Sequence, residues 1–476
     1  MASLVKRCRT TGLSLLRRIS AESLSPSRDF ADRKLGAHMT MTTRVDLSPS
    51  SRIMSPWLML PPVFEEGGDM VYKFYNLPED KEETFRRKIS KLEEEMADDE
   101  AIFVGSSHGW LALFNQRNNN NLFLYNPITG RHIKLPPIET LPDPIINLTS
   151  DGRGSVSKLI LSSSSPDEDD ECIAMMTFGP GDRLAFCHPC RSTQWTPIGK
   201  LFFSRNLDSP HEDYANPFME QGMDYGRAYN DFVYCFGLKR FTCTTQFEID
   251  LPRHRLCHPT CELEDWDLSD PRPPISTTCS GGLVSLEFDG EEWIHQNLSI
   301  LDKCRQIPYL VFGEKHNQLF VVIRFVMDRV APDGSYVDTG ELHYDPISGG
   351  MLVDTYPYKT IGFCVLKVDY RQKNGRRVAE GVRLVKGGSL DGLTMFIGMN
   401  HSFAVSAAEF PNLKPNSIYF TDANKIDSSI YGGHDIGIFD YVNKTLSPCY
   451  CYPCVDDIPS LKRIAPPPMW FTPSLY

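Results

Sequence analysis

Long apolar runs are missing from this chain of 476 residues. The best stretch, 319–326, is eight residues long and already holds Arg324, whereas a spanning helix needs about 20. No membrane insertion is expected. Basic charge is also scarce outside one end. The chain carries -12 overall, and residues 1–45 hold nine Lys and Arg against three acids, so the remainder stands at -18. Affinity for polyphosphate rests on Lys and Arg displacing counterions, which excludes nucleic acid as a partner. Also absent are the Gly-x-Gly-x-x-Gly of dinucleotide folds, the Gly-x-x-x-x-Gly-Lys-Ser/Thr phosphate loop and the His-Glu-x-x-His of zinc proteases. Gly387-Gly388-Ser389 has no Lys after it and reads as a tight turn. No cofactor is expected.

Residues 1–21 contain Lys6, Arg7, Arg9, Arg17 and Arg18 and no acid. On a helical projection Leu4, Val5, Leu15, Leu16 and Ile19 share one sector that the basic residues avoid. An Arg-rich, Ser-rich, acid-poor amphipathic start is the pattern of an organellar transit peptide, so residues 1–45 are read as a disordered targeting segment. The address expected is the mitochondrion, with chloroplast or cytosol and nucleus as the alternatives.

The 14 cysteines fall at irregular intervals in a long chain, unlike a small disulfide framework, and read as free thiols. Cys187-His188-Pro189-Cys190 and the group Cys449, Cys451 and Cys454 have metal-like spacing. Zinc needs four converging ligands, and these groups are distant in sequence with prolines inside each. No metal is expected.

From residue 55 onward short β-rich runs alternate with turn residues. Examples are 101–105, 110–114, 122–125, 132–135, 159–162, 172–178 and 184–187, punctuated by 106–109, 118–121, Asn126-Pro127-Ile128-Thr129-Gly130 and Gly179-Pro180-Gly181-Asp182. Four strands within 101–137 make one propeller blade. Similar clusters recur at about 157–199, 229–256, 279–296, 309–356, 361–400 and 403–452. The fold class expected is all-β, a β-propeller of four-stranded antiparallel blades over 55–473. Residues 79–100 break the pattern: they are dense in charge and place Phe85, Ile89, Leu92 and Met96 four, three and four apart, which predicts a charged helical insertion. Trp57, Trp110, Trp195, Trp293 and Trp470 sit near strand ends and are expected to pack between blades. Aromatic and proline-rich segments at both ends, 57–62 and 466–473, suggest that one end completes the blade begun by the other.

Several stretches resemble the plant β-propeller family known as domain of unknown function 295, whose members often follow an F-box. They are Pro56-Trp57-Leu58-Met59-Leu60-Pro61, Tyr72-Lys73-Phe74-Tyr75-Asn76, Val104-Gly105-Ser106-Ser107-His108-Gly109-Trp110-Leu111, Leu124-Tyr125-Asn126-Pro127, Pro415-Asn416-Ser417-Ile418-Tyr419-Phe420-Thr421-Asp422, Gly432-Gly433-His434-Asp435 and Pro466-Pro467-Pro468-Met469-Trp470. Residues 1–55 contain no leucine-rich F-box pattern, so the resemblance implies an organelle-targeted member without the adaptor module.

Ser107 and His108 in one turn, and His434 and Asp435 in another, are the candidate site residues. They are read as partner-binding loops in which side chains also fix the turns. The function expected is a non-enzymatic, monomeric protein-interaction module acting on another protein. Two alternatives stand beside it: a propeller hydrolase or oxidase working at the central opening, and a ubiquitin-ligase adaptor that has lost its F-box.

Overall fold

The computed structural model describes residues 56–473 except 66–68, 89–100, 116–120, 142–155, 180–182, 199–228, 251–255, 269–274, 281–283, 286–291, 332–333, 338–355, 374, 411, 423–431, 450–463 and 465. One compact unit comprises 54–452 with 464–476. The other, 1–53 with 453–463, lies outside the described residues, and the expected targeting segment with it.

Among the described residues the strands group into six blades, and the first strands of blades 2, 3, 4 and 5 abut in turn around an axis, with Met469–Phe471 of blade 1 beside blade 2 and Phe403–Ser406 of blade 6 beside blade 5. Blade 2 is Ala101–Ser107, Trp110–Asn115, Asn121–Tyr125 and His132–Lys134. Blade 3 is Val156–Leu161, Ala174–Phe178, Arg183–Cys187 and Thr196–Ile198. Blade 4 is Asp231–Cys235, Arg240–Asp250, Leu256–Trp266 and Ile275–Ser280, with the short Val284–Ser285 also on its third strand. Blade 5 is Arg305–Gly313, Gln318–Met327, Lys359–Lys373 and Arg376–Leu384. These four are antiparallel meanders. Blade 6 departs from that pattern. Its order is Phe403–Ser406, Leu393–Ile397, Ser417–Phe420, Gly437–Asp440 and Thr445–Ser447, and its second and third strands are parallel.

Blade 1 is built from both ends of the domain. Asp69–Asn76 pairs on one side with Lys81–Lys88 and on the other with Trp57–Met59 and Val63–Phe64. Trp57–Met59 in turn pairs with the last strand, Met469–Phe471, in the register Trp57 to Phe471, Leu58 to Trp470 and Met59 to Met469. The ring is thus sealed by the two ends, as the aromatic segments there suggest. Sealing removes the open edges that an arc of sheets would expose.

The inner strands run close together. A Cβ on Gly105 would stand 2.2 Å from the Leu159 carbonyl oxygen, so a side chain there would push blade 2 off blade 3. Trp110–Asn115 is buried at every position, which is why its pattern is a continuous apolar run and not an alternation. Indole N–H groups bridge blades. Trp110 donates to the Ser164 carbonyl (3.1 Å), Trp195 to Pro136 (2.7 Å) and Trp470 to Ile397 (3.0 Å). Trp293, on the helix Glu292–Gln296, packs against Phe439 at 6.0 Å.

Three sequence expectations are corrected. The predicted helix over 79–100 is a strand over Lys81–Lys88; Ile89, Leu92 and Met96 lie outside the described residues. Residues 82, 84 and 86 are exposed while 83, 85 and 87 are half-buried, the two-residue period of a strand. Its charges suit an outermost strand, where Lys, Arg and Glu discourage edge-to-edge pairing. The second correction concerns 279–296, expected as a strand cluster. Cys279 lies in the fourth strand of blade 4, Val284–Ser285 pairs with the third strand of the same blade, and 292–296 are helical. The runs at 309–356 and 361–400 also do not make separate blades, because Lys359–Lys373 pairs with Gln318–Met327.

Trp470 is fully buried, edge-on to Phe396 at 5.1 Å and Tyr419 at 6.1 Å. Trp470→Ala should cost about 3 to 5 kcal/mol. Deleting 464–476 should give insoluble or protease-sensitive protein, whereas deleting 1–45 should leave the melting temperature unchanged. Thermal melts with limited proteolysis check this, and a truncated monomer melting with the parent would refute ring closure.

Candidate functional site

His108 and Gly109, at φ 52° and 85°, are the two turn residues between paired Ser107 and Trp110. Positive φ at both positions gives the turn whose twist matches a hairpin. Gly105-Ser106-Ser107-His108-Gly109 also has the Gly-x-Ser-x-Gly spacing of a hydrolase nucleophile elbow, a strand-to-helix turn that leaves its serine exposed. Here the motif lies in a β-hairpin and Ser107 is buried. Its hydroxyl accepts from the Leu161 N–H (3.1 Å) and donates to the Leu161 carbonyl (3.4 Å), tying blade 2 to blade 3.

The His108 ring lies 5.0 Å from Phe236 and 5.1 Å from His401. His401 belongs to the buried connection between Leu393–Ile397 and Phe403–Ser406, and its N–H donates to the Ser106 carbonyl at 2.8 Å. A loop of blade 6 therefore reaches blade 2 across the ring. Gly398 makes the bend possible, because a Cβ there would meet Thr421 Oγ1 at 2.1 Å. Burial, then His108 and Lys158, push the His401 pKa well below the ordinary imidazole value, against a hydrogen bond that the ring donates to the Tyr234 main chain. Lys158 is itself paired with Asp231 at 2.6 Å, and the second Asp231 oxygen accepts from the Leu310 N–H at 2.7 Å. One buried carboxylate thus joins blades 3, 4 and 5.

His434 and Asp435 belong to another cluster, between blades 5 and 6. Arg324 Nη2 donates to Asp435 Oδ2 at 2.8 Å and to its carbonyl at 3.1 Å, while Nη1 donates to the Thr421 carbonyl at 2.8 Å. Nε donates to the Thr360 hydroxyl (2.7 Å), which donates to Asp435 Oδ2 (2.7 Å). The guanidinium sits over Phe420 at 4.8 Å. Burial disfavours its charge, but Asp435, Tyr309 and Asp422 outweigh that and hold the pKa above the ordinary arginine value. His434 Nε2 is 3.0 Å from the Tyr358 carbonyl, and the Tyr358 hydroxyl donates to Asp422.

The four candidate residues therefore divide between two clusters. Ser107, His108 and Asp435 are buried and His434 is nearly so, 12% exposed at its side chain. The sequence reading did not find His401, the Lys158–Asp231 pair, or Arg324 as the partner of Asp435. A signal was present for the charged ones: Arg324 within 319–326 and Lys158 within Val156–Leu161 each interrupt an apolar run, and a buried charge requires a counter-charge.

Among the described residues no group of three or more His, Cys, Asp and Glu is placed to hold a metal. His188 Nδ1 is 3.0 Å from the Cys172 carbonyl and Cys190 donates to Pro166. Cys451 and Cys454 lie outside the described residues. A cleft of about 550 Å³ on blade 5 is bordered by Lys367, Arg383, Lys386 and Ser389. There Asp369 holds Arg383 through both oxygens, and the Ser389 hydroxyl accepts from the Asp391 N–H, as a turn requires.

Sheets of this kind arranged about an axis and sealed by their two ends define a β-propeller. The family model described as KIB1-4 beta-propeller matches residues 74–440, and the chain belongs to that family. No curated protein matches the chain. Among solved structures it is similar to the β-propeller domain of Cps50 (Swd1) from Myceliophteria thermophila, at 10% identity over 69% of this chain and 86% of that one, with a TM-score of 0.25. It is likewise similar to a "putative 6-phosphogluconolactonase" from Bacteroides uniformis, at 11% identity over 70% and 83%, with a TM-score of 0.26.

Asp435→Ala should leave Arg324 charged, buried and unpaired, costing about 3 to 5 kcal/mol. Replacing both Arg324 and Asp435 by apolar residues should recover much of that in a denaturant melt. A second outcome concerns pH. The folded pKa of His401 lies below its unfolded value, so the unfolded chain binds the extra proton and stability falls as pH drops below about 6.5. His401→Gln should flatten that part of the stability profile, measured by urea melts between pH 7.5 and 5.

Proposed function

We propose that the chain is a non-enzymatic, monomeric propeller whose rim of loops binds another protein, and that it acts in mitochondria as an organelle-targeted relative of the domain of unknown function 295 group. One observation carries the binding reading: three buried polar side chains near the axis and between blades, Ser107, Asp231 and Asp435, are spent on joining blades. Ser107 is bound on both sides by Leu161, Asp231 by Lys158 and Leu310, and Asp435 by Arg324 and Thr360. A rigid ring built this way offers exposed turns, such as Glu79-Asp80 and Glu314-Lys315-His316, for a partner to read. Partner-binding loops at 107–108 and 434–435 act on this reading through backbone shape, with the four buried side chains setting that shape. The address rests on the five basic and no acidic residues in 1–21.

Two measurements test the reading. Replacing Arg7, Arg9, Arg17 and Arg18 with Gln in a fluorescent fusion should abolish organelle import while leaving the folded ring intact. Tagged full-length chain recovered from that compartment should hold a stoichiometric partner that is lost when Glu79, Asp80, Glu314 and Lys315 are charge-reversed at unchanged melting temperature. Unaltered import would sink the address, and recovery of bare chain would sink the binding role.

A further inference from the structure

Blade 4 carries an unusual number of buried thiols: Cys235, Cys243, Cys261 and Cys279 are all 0 or 1% exposed. Two of them face each other. In the pairing of Leu256–Trp266 with Ile275–Ser280, Cys261 stands directly opposite Cys279. Directly opposed antiparallel residues have Cα atoms about 4.5 or 5.5 Å apart, depending on the hydrogen-bonding phase. Both values fall within the roughly 4.4 to 6.8 Å that a disulfide spans, so the bridge needs side-chain rotation and little backbone movement. Cys187 is opposed by Ala174, Cys235 by Arg240, Cys243 by Phe232 and Glu264, and Cys364 by Ile323.

From this register we propose that Cys261 and Cys279 form an oxidation site, in which a peroxide converts the two thiols into a cross-strand disulfide. The thiols already share a hydrogen bond. Cys261 donates to the Cys279 sulfur, which draws the Cys279 pKa below the ordinary thiol value, against burial, and raises that of Cys261. Cys279 is thereby the nucleophile and Cys261 the resolving thiol. The Cys279 thiolate attacks one peroxide oxygen, the O–O bond breaks, and water leaves after protonation, giving a sulfenic acid. Cys261, deprotonated, then attacks that sulfur; the S–O bond breaks and a second water leaves. Two thiols lose two electrons and two protons, and the peroxide becomes two waters.

Location gives the bridge a consequence. Among the described residues Ile275–Ser280 ends its sheet, hydrogen-bonded to the blade on one side only, and lies beside the outer strand Arg376–Leu384 of blade 5. Opening of this end strand admits the oxidant, and the disulfide then staples the strand to its blade.

The test is a peptide map of the full chain, reduced and then exposed to hydrogen peroxide before alkylation under denaturing conditions. The expected product is a linked peptide pair joining Cys261 to Cys279, two hydrogens lighter than its parts and reversed by dithiothreitol. Hydrogen exchange across 275–280 should slow at least several-fold in the bridged form. Cys190, which is exposed, serves as the internal clock. If Cys261 and Cys279 both alkylate as free thiols after Cys190 is fully oxidised, or each is found bridged to a different cysteine, the proposal fails. In Cys261→Ala the sulfenic acid on Cys279 should be trapped by dimedone, and its absence in folded variant protein would remove Cys279 as the nucleophile.

Discussion

The whole ring depends on three residue pairs, Trp57 with Phe471, Leu58 with Trp470 and Met59 with Met469. Each blade buries its faces against two neighbours, so an unclosed array would expose one face at each end and two rows of unpaired backbone groups. Closing a loop of this length costs little more than closing a short one, because the entropy grows only logarithmically with length. The kinetic demand is larger, since contacts between the chain's distant ends form late. The last strand compensates with its side chains. Met469, Trp470 and Phe471 are fully buried, Phe471 stands 4.8 Å from Phe74, and the Trp470 indole reaches Ile397 in the preceding blade. A three-residue strand could not hold on backbone pairing alone.

Once closed, the ring has joints of two chemical kinds. Apolar joints, such as Trp470 of blade 1 edge-on to Phe396 and Tyr419 of blade 6, gain from any good packing. Ionic joints, Lys158 with Asp231 and Arg324 with Asp435, lose their hydration on burial, so the ion pair contributes little net stability compared with an apolar replacement. What they add is direction. Asp231 meets Lys158 and Leu310 only when three inner strands hold one register, and Asp435 meets Arg324 and Thr360 only when blades 5 and 6 are docked. Similar blades could otherwise slide along one another, because the residues of a strand that share a face are much alike.

Propeller architecture was legible in the sequence because blade 2 compresses it into 101–137, with turns at Ser107-His108-Gly109-Trp110 and Asn126 to Gly130 that allow little else. Trp110, Trp195 and Trp470 were legible as joints because a large ring near a strand end fills the space between sheets, whereas the Trp57 ring packs on Phe74 and Phe85 within blade 1. Blade 6 was not legible, since its parallel pair of strands is a topological fact without a periodic signature. The charged strand 81–88 was misread because four-three-four spacing can be assembled from a strand and whatever follows it. As for the site, Asp435 and Arg324 were each visible, one as a polar cluster and the other as a charge inside an apolar run. Their pairing was not, because 111 residues separate them and only the fold brings blade 6 against blade 5.

The same joints bear on what this ring could do. A serine acting as a nucleophile must turn its hydroxyl toward a substrate and give its proton to a base. Ser107 uses both its donor and an acceptor position on Leu161, and to turn away would break two buried hydrogen bonds and leave a main-chain N–H and carbonyl unpartnered, at about 1 to 3 kcal/mol for each orphaned group. His401, the imidazole that the fold brings to the neighbouring His108, is held neutral by burial. Its main-chain N–H donates to the Ser106 carbonyl, a backbone bond that leaves the Ser107 hydroxyl where Leu161 holds it. The Gly-x-Ser-x-Gly spacing at 105–109 therefore supports a hairpin turn and an inter-blade joint. Chemistry at this centre would require the ring to give up contacts between blades 2 and 3, whereas a partner bound to the exposed turns would require none.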